Sequence, residues 1–480
     1  MMSKLKKIVK EDFISKTNCK FEIDSSSLEI NENVKVKKKF KTLGKALIIA
    51  SCAVLLAFFV FPIISMFRTV NSVNIIKKDY SINELKKIES SSFKKLNEVT
   101  FPSADIKNLE LDESFKESII DFAYNAYSNL EIKDNISFSP IGLYSNLLVT
   151  SLASNNAEVL EEFDNVLGLD NEARKDNFIK MYQNDYFSNE LGTIQMYNAS
   201  FINSNYKVNQ KYVNTLADYY TDAYQMNFAS SKDVNKMLQW VDQRLNTNNF
   251  ITPKELEIDI DSMIYILSTL YFNNKWSNSF ISSNNYKDSF YKNGESISQV
   301  DYMRHTYFGK VYDYDKYISC FDYYCNRLKI QYIVPKDINE DILTLIDGIN
   351  FLINDEDKIS DNTIIDLSVP KFETTSMIDF SPIVKKMGIR KAFNDNYPAF
   401  NYAFENPTDN IYLDFIKQKN QVSFSEDGTI IRSLTFGLMK NGSAGPIGGD
   451  TYKVVLNQPF IYVIYDSQDL PLYIGYTSNI

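Results

Sequence analysis

Histidine is almost absent from this chain of 480 residues, which contains a single one, His305. A metal site built on two or more imidazoles is therefore excluded, and any Ser-His-Asp or Cys-His mechanism has one candidate base. That histidine lies in the strand-like run YMRHTYFG, where a lone histidine is typically a core or surface residue. No HExxH, CxxC, GxSxG or GxxxxGK[ST] pattern is present either. The sequence thus predicts no catalytic residues, no cofactor and no metal.

Cysteine, glycine and proline are also scarce, with 4, 15 and 12 residues respectively. So few cysteines in so long a chain exclude a small domain held together by disulfides. Collagen-like and disordered chains are excluded because 33 Phe and 32 Tyr supply ample core. Cys320 and Cys325 are about 17 Å apart along an extended strand, which is beyond disulfide reach unless the chain reverses between them. Two free thiols are favoured, and a disulfide stays an alternative.

Basic residues are outnumbered, 51 against 61 acidic ones, and the net charge of −10 is unevenly distributed. Residues 1–45 hold 12 Lys and 6 Asp or Glu, whereas residues 69–480 hold 38 basic and 55 acidic residues. A basic head is thus joined to an acidic body. Because phosphate binding needs a basic surface, the acidic body argues against a nucleic-acid partner.

One long uncharged run is present, and it predicts a transmembrane helix. The 22 residues 46–67 read ALIIASCAVLLAFFVFPIISMF. A helix of that length spans about 33 Å, enough for a hydrocarbon core of about 30 Å. A buried soluble helix is a weaker alternative, because core helices rarely run so long without a polar face. A cleaved signal peptide is weaker too, because the 45 residues before the run are too many for its first region.

Lysine bias sets the expected orientation of this span. Six lysines crowd residues 35–45, whereas the other flank has Arg68 and then no basic residue until Lys77. The positive-inside rule places residues 1–45 in the cytoplasm and the chain from residue 68 outside. The predicted localisation is the cell membrane, with a single span, a cytoplasmic N-terminus and an extracellular body.

Composition and periodicity divide the outer part in two. Residues 68–112 are polar and rich in Lys, Ser and Asn, which is typical of a juxtamembrane stalk. From residue 113 the apolar residues recur at helical spacing, and from about Met263 strand-like runs follow, such as MIYILSTLYF, LKIQYIVP and FIYVIY. Helices first and strands later predict an α+β fold over residues 113–480.

Eight segments of this region, in chain order, resemble the serpin family. They are NISFSPIGLYSNLLVTSLAS (135–154), VNKMLQWVDQRLNTNNFI (234–251), STLYFNNKWSNSF (268–280), LSVPKFE (367–373), KKMGIRKAF (385–393), SEDGT (425–429), NQPFIYVIY (457–465) and PLYIGYTSN (471–479). No single motif decides the resemblance, but their order and spacing make it strong. It implies a serpin-like α+β fold, with N-terminal helices packed on large mixed or antiparallel sheets and an exposed reactive-centre loop.

The resemblance also implies a role for the long, weakly patterned segment between Gly428 and Lys453. In the family this segment is the reactive-centre loop, which a target protease cleaves. The N-terminal part of the cut loop then inserts as a new strand in the main sheet, while the protease stays attached through an acyl bond. The resemblance therefore implies a single-use inhibitor rather than an enzyme. Its partner would be an extracellular serine or cysteine protease, and its ectodomain would be monomeric.

The hinge of this loop matches the family in part. Inhibitory members have Glu-x-Gly-Thr followed by small residues, and Glu426, Gly428 and Thr429 match. Alternate residues of a strand share a face. If the face with Thr429, Ile431 and Ser433 points into the sheet, only Ile431 is oversized, at a cost of about 1–3 kcal/mol.

The bulky stretch Ile430-Ile431-Arg432 keeps a second class of function open. A non-inhibitory serpin domain would act as a binding or sensor module, with residues 1–45 as a cytoplasmic signalling tail. An outward-facing inhibitor would instead protect the cell that makes it from secreted proteases.

Counting from the hinge as in the family places the scissile bond near Gly442 and Ser443. The predicted scissile region comprises Lys440, Asn441, Gly442, Ser443 and Ala444. Cleavage after Lys440 would suit a trypsin-like enzyme. Cleavage near Gly442 or Ala444 would suit an elastase- or subtilisin-like enzyme.

The family also has a polar cluster beneath the point where its main sheet opens. The corresponding residues are Ser139, Ser268 and Gln418, of which the last two replace the family's Asn and His. All three can form hydrogen bonds, so the resemblance implies a cluster in altered form. Trp276, after the strand YFNN, corresponds to a family tryptophan that packs under the sheet.

Overall fold

The computed structural model describes residues 91–169, 171–431 and 451–480. The predicted cytoplasmic tail (1–45), the predicted transmembrane helix (46–67) and loop residues 432–450 lie outside these ranges. Within them, no helix is long and apolar enough to cross a membrane.

The helices come mainly from the first half of the domain. They are α1 (Glu113–Ser128), α2 (Pro140–Ser151), α3 (Ala157–Leu167), α4 (Asn171–Asn184), α5 (Gln210–Asp218), α6 (Ser231–Arg244), α7 (Ile342–Leu345) and α8 (Ser381–Met387). Helix α2 is apolar nearly all round, and almost all of its residues are buried. Ser139 caps this helix by accepting a hydrogen bond from the Gly142 N–H at 3.0 Å, and Pro140 occupies the first turn.

Two large sheets contain the strands that the structure describes. Sheet A has the order β1-β5-β4-β6-β14-β13-β12, and β3 also pairs with β4. Its strands are β1 (Lys94–Lys95), β3 (Phe187–Asn189), β4 (Gly192–Asn203), β5 (Thr221–Met226), β6 (Ile264–Lys275), β12 (Glu373–Asp379), β13 (Lys417–Ser425) and β14 (Gly428–Ile431).

Sheet B has the order β15-β11-β8-β9-β10-β16-β17-β2, and β7 also pairs with β8. Its strands are β2 (Ile136–Phe138), β7 (Tyr286–Lys292), β8 (Glu295–Asp313), β9 (Tyr317–Tyr323), β10 (Lys329–Pro335), β11 (Ile359–Pro370), β15 (Thr451–Val455), β16 (Phe460–Tyr465) and β17 (Pro471–Thr477). Most neighbours in both sheets are antiparallel. The parallel pairs are β4–β5 and β11–β15, so the predicted α+β class with mixed sheets is confirmed.

Aromatic side chains join the two sheets. Phe424 of sheet A meets Tyr462 of sheet B edge-on, with ring centroids 5.2 Å apart. Phe272 of sheet A meets Tyr473 of sheet B in the same manner at 6.3 Å. Such pairs bury much apolar area in a defined geometry, and they hold the core between the sheets.

The described part of the predicted stalk, residues 91–112, lies against the domain rather than apart from it. Strand β1 extends sheet A by pairing with β5. The Asn97 side chain accepts from the Ala223 N–H at 2.8 Å and donates to the Thr221 carbonyl at 3.0 Å. Phe93 contacts Tyr224 with ring centroids 5.2 Å apart. The polar sequence of residues 91–112 did not indicate this docking, because main-chain and amide hydrogen bonds provide much of it.

Cys320 and Cys325 are free thiols, as favoured from their spacing. Cys320 is buried in β9, and burial raises the pKa of its thiol. The chain's one histidine, His305, is also buried, with Nε2 3.0 Å from Asp322 Oδ2 and its ring 4.0 Å from that of Phe280.

A pair of interacting carboxyl groups lies in the core where α4 ends. Asp185 and Asp466 are each 1% exposed. Asp466 Oδ1 accepts hydrogen bonds from the N–H groups of Gln468 and Leu470, whereas Oδ2 of each aspartate lacks a partner among the described residues. Burial raises the pKa of Asp466 to about 7, and the nearby Asp469 carboxylate adds to this rise. Burial also raises the pKa of Asp185 well above its usual value, and the charge of Asp466 adds to it.

Because of this pair, we expect the free energy of unfolding of the domain to fall as pH rises towards neutrality and above. An aspartate in the unfolded chain titrates near about 3.9, so between that pH and about 7 the folded state binds more protons than the unfolded one. Stability is then fully present below pH 4 for this pair and is lost as pH passes through the folded pKa. We expect Asp466→Asn to raise the melting temperature at pH 8 more than at pH 5. Asp121→Asn, at an exposed position of α1, is the control, and an equal effect at both pH values would contradict the assignment.

Candidate functional site

The segment after the hinge turn is a strand of sheet A in this structure. Strand β14 lies between β6 and β13 and is antiparallel to both, with Gly428 opposite Lys275 on one side and Ser425 on the other. A Cβ at Gly428 would lie 2.1 Å from the Asn274 carbonyl oxygen, so only glycine fits this close approach.

Below β14, sheet A is open. Pairing with β14 ends at Phe272 of β6 and at Ser423 of β13, and beyond these residues no described strand pairs with both strands. A cavity of about 130 Å³ lies between them. We call this space the slot. It is lined by residues 266–270 of β6 and 417–421 of β13, with α2 on one side and residues of α6 and the following segment on the other.

The predicted hinge residues lie at the upper end of the slot. Thr429 is fully buried, and its Oγ1 accepts a hydrogen bond from the Tyr324 hydroxyl at 2.7 Å. Ile431 is 4% exposed and lines the slot, whereas Ile430 between them is half-buried. The inward face of the hinge is therefore the one with Thr429 and Ile431. Ser433, the next predicted residue on that face, lies outside the described residues.

Glu426 holds the turn that leads into β14. Its Oε1 accepts hydrogen bonds from Asn285 Nδ2 at 2.6 Å and Lys371 Nζ at 3.0 Å. Burial by itself would raise the pKa of Glu426, but hydrogen bonds from its own backbone N–H, Lys371 and Asn285 lower it below the usual value. The carboxylate is thus kept charged at neutral pH, and it ties the hinge to sheet B through Lys371.

Two of the three residues predicted for the polar cluster meet. Gln418 Oε1 accepts from the Ser139 N–H at 2.7 Å, and Gln418 Nε2 donates to the Ser139 carbonyl at 3.0 Å. Asn420 joins them by donating to Gln418 Oε1 at 3.0 Å. Ser268 is not part of this group, because its hydroxyl accepts from Asn146 of α2 at 3.3 Å.

The sequence did not identify Asn146 and Asn420 as site residues, although both lie beside the slot. Asn146 Nδ2 donates to the Ile266 carbonyl at 3.0 Å, on the open edge of β6. Asn420 Nδ2 donates to the Ser137 carbonyl at 3.0 Å. Asn146 bears the one amide side chain of a helix whose other residues are all buried, and this is a signal that could have identified it. The predicted scissile residues 440–444 lie outside the described residues.

Comparison with known proteins agrees with this geometry. The profile described as Serpin (serine protease inhibitor) matches residues 117–480. The chain belongs to the serpin family. Serpins are generally protease inhibitors rather than enzymes.

The relatives are distant. An uncharacterized serpin-like protein of Acanthamoeba polyphaga mimivirus is 23% identical over 380 residues, covering 74% of this chain and 87% of its own length. The alpha-1-antiproteinase of Mus saxicola is 21% identical over 379 residues, covering 74% and 86% respectively. The crystal structure of the thermophilic serpin tengpin in its native state matches with a TM-score of 0.67 and 22% identity, covering 80% of this serpin and 98% of tengpin. At this identity the structural likeness supports the fold.

Trp276 supports the upper end of the slot. It is 2% exposed, its ring stacks on Tyr324 with centroids 4.4 Å apart, and its Nε1 donates to the Ser425 carbonyl at 2.8 Å. Its predicted role as a packing residue agrees with this burial.

Trp276→Ala should lower the free energy of unfolding by about 3–5 kcal/mol, because it empties a large buried volume and leaves the Ser425 carbonyl without its donor. Trp276→Phe should cost less, since the ring contact with Tyr324 is kept. Denaturant unfolding of both variants tests this, and a loss below about 1 kcal/mol in the alanine variant would contradict the packing role.

Proposed function

We propose that this serpin is a membrane-anchored, extracytoplasmic inhibitor of serine or cysteine endopeptidases that acts by cleavage of the loop 432–450 and insertion of the cut strand into sheet A. The observation that carries the proposal is the slot between β6 and β13, which lies directly ahead of Ile431. The slot edges are strand backbones whose ladder partner on that side is absent from the described residues.

The register of β14 indicates how much of the loop the slot would take. Ile431 lies opposite Phe272. Continued one residue at a time, the same register brings Met439 opposite Ile264, the first residue of β6. The predicted scissile residues 440–444 follow immediately. The length of β6 thus suits a loop cut near those residues.

Side-chain alternation supports insertion as well. The face with Thr429 and Ile431 would continue with Ser433, Thr435 and Gly437, all of which are small enough for an inward position. Ile431, the oversized residue on that face, already lies inside the sheet. The bulky residues of the other face, Leu434 and Phe436 among them, would lie towards the apolar side chains that cover the slot. Those side chains are Val241, Leu245, Phe250, Ile251 and Leu256.

Membrane anchoring is part of the proposal and rests on the sequence. Its support is the uncharged run 46–67 and the lysine-rich flank before it, which predict a serpin domain outside the cell. An inhibitor held there would act on proteases that reach the cell surface.

A second candidate is a non-inhibitory binding or sensor module. It is favoured by the buried Tyr324–Thr429 hydrogen bond, which holds the hinge inside the sheet before any cleavage. The bulky Arg432 that follows is unusual for an inserting loop. In this reading the slot would stay open and residues 1–45 would carry the signal.

Limited proteolysis of the loop separates the two candidates. If the loop inserts, cleavage within residues 436–446 should raise the melting temperature sharply, because a new strand satisfies both slot edges and buries apolar area. An SDS-stable complex with the protease is expected in the same samples. A cleaved domain that melts where the intact one does would favour the binding module.

Ser433→Arg should abolish this gain in melting temperature, since insertion of the cut loop would force a charge into the sheet interior without a partner. Ser433→Ala, which keeps a small neutral residue at the same position, is the matched control and should keep most of the gain. Equal gains in both variants would contradict the assignment of the inward face.

Protease treatment of intact cells tests the topology. The serpin domain should be removed, while residues 1–45 should stay protected, because the proposed span separates the two. Antibodies against each part provide the readout, and a protected serpin domain would contradict the proposed orientation.

A further inference from the structure

Residues 250–257, which connect α6 towards β6, lie across the slot. We call them the cover segment. Phe250, Ile251 and Leu256 line the same cavity as β6 and β13. The Tyr265 hydroxyl of β6 donates to the carbonyl groups of Leu256 at 3.2 Å and Glu257 at 3.0 Å. The cover segment is therefore tied to one edge of the slot by β6 itself.

Two lysines of β13 tie the same segment to the other edge. Lys419 Nζ lies 2.5 Å from Glu255 Oε1, and Lys417 Nζ lies 2.6 Å from Glu257 Oε1. Both lysines are largely covered, with side chains 17% and 21% exposed. Lys419 also lies over the Phe250 ring, 5.6 Å from its centroid. Together with Tyr265, the two ion pairs thus connect the two edges of the slot through the cover segment.

The carboxylate of Glu255 is held in place for this contact. Its Oε2 accepts hydrogen bonds from the N–H and the hydroxyl of Thr252, both at 2.9 Å, which leaves Oε1 facing Lys419. The hydrogen bond from Lys419 is the main cause of the lowered pKa of Glu255. Glu257 has φ of +52°, a left-handed conformation that costs energy for a residue with a Cβ. The residue in this strained conformation is thus the one that forms the second ion pair, with Lys417.

The ion pairs lie midway along the insertion path. A second cavity, of about 400 Å³, continues beyond the slot along residues 259–265 and 410–415. Both cavities are lined by Leu256, Ile266, Lys417 and Lys419. In the register of β14 with β13, Leu434 and Phe436 of the loop would come opposite Lys419 and Lys417. A strand that fills the slot therefore has to pass beneath the cover segment at this point.

We propose that the Lys419–Glu255 and Lys417–Glu257 ion pairs act as a clasp that holds the cover segment over the slot and sets the rate of loop insertion. This inference rests on the proposed inhibitory function. A closed clasp hinders insertion of an uncut loop. It also lengthens the time that a captured protease has to complete hydrolysis and leave, so clasp strength shifts the balance between inhibition and turnover.

The test compares three full-length proteins: the double variant Glu255→Gln/Glu257→Gln, the unaltered protein and the single variant Glu340→Gln. Glu340 pairs with Lys316 at 3.2 Å on an exposed surface away from the slot, so it is the matched control. Trypsin is the probe protease, and the measurement is the rate at which the heat-resistant form appears after loop cleavage. Each partly exposed pair contributes modestly, so we expect the double variant to insert about three- to tenfold faster than the other two proteins.

A charge-swapped variant separates the clasp from general damage to the domain. Lys417→Glu/Lys419→Glu combined with Glu255→Lys/Glu257→Lys restores both pairs in reverse and should return the rate towards that of the unaltered protein. Higher salt should accelerate insertion of the unaltered protein as well, because it screens both pairs. This second measurement needs no variant.

The outcomes distinguish the two proposals. If the unaltered protein inserts and the double variant inserts no faster than Glu340→Gln, the clasp is wrong and the inhibitory function stands. If neither the unaltered protein nor any variant inserts after cleavage, the inhibitory function is wrong and the clasp falls with it. Faster insertion in the double variant, reversed by the charge swap, supports the clasp.

Discussion

The gap in the middle of sheet A, where the described residues provide no strand, is the constraint on which the rest of this serpin depends. Among the described residues, β6 and β13 face each other across the slot without the main-chain ladder that a continuous sheet would have. Side chains substitute for part of it. Asn146 of α2 donates to the Ile266 carbonyl at the open edge, and Gln418 and Asn420 of β13 bond to the backbone of residues 137–139 beneath it. The open sheet is thus stabilised locally but keeps a capacity for one more strand.

The upper end of the slot is where this arrangement meets the loop. Strand β14 already occupies the first four positions, and its entry is supported from three directions. Tyr324, directly after β9, bonds to Thr429. Glu426 is held by Lys371 and Asn285, and Trp276 packs beside the turn. These contacts hold the start of β14 in place. The bulky Ile431 at its end is accommodated because it lines a cavity and not a filled core.

The lower half of the slot is controlled by different forces. Apolar side chains of the cover segment close it from outside, and two ion pairs on partly covered lysines hold that segment to β13. Salt screens the ion pairs, whereas it does not screen apolar contact. Apolar packing therefore closes the slot from outside, and the proposed clasp adds a contribution that salt weakens.

The sequence by itself determined the class of fold and the family. Helical periodicity precedes strand-like runs, and the family motifs occur in order, with Glu426, Gly428 and Thr429 matching the hinge motif. It also indicated Ser139 and Gln418, which the structure brings into contact. These predictions succeed because they depend on local pattern and on motifs that are contiguous in the chain.

Only the tertiary structure decided which residues meet across the slot. Tyr324 and Thr429 are 105 positions apart, and Lys419 and Glu255 are 164 apart. Ser268 was expected beside Gln418 but bonds to Asn146 instead. The docking of residues 91–112 onto β5 was likewise hidden in a polar sequence. Contacts of this kind depend on strand register and on which helix covers which sheet, and a single sequence leaves no local trace of them because the partners come together only when the sheets close.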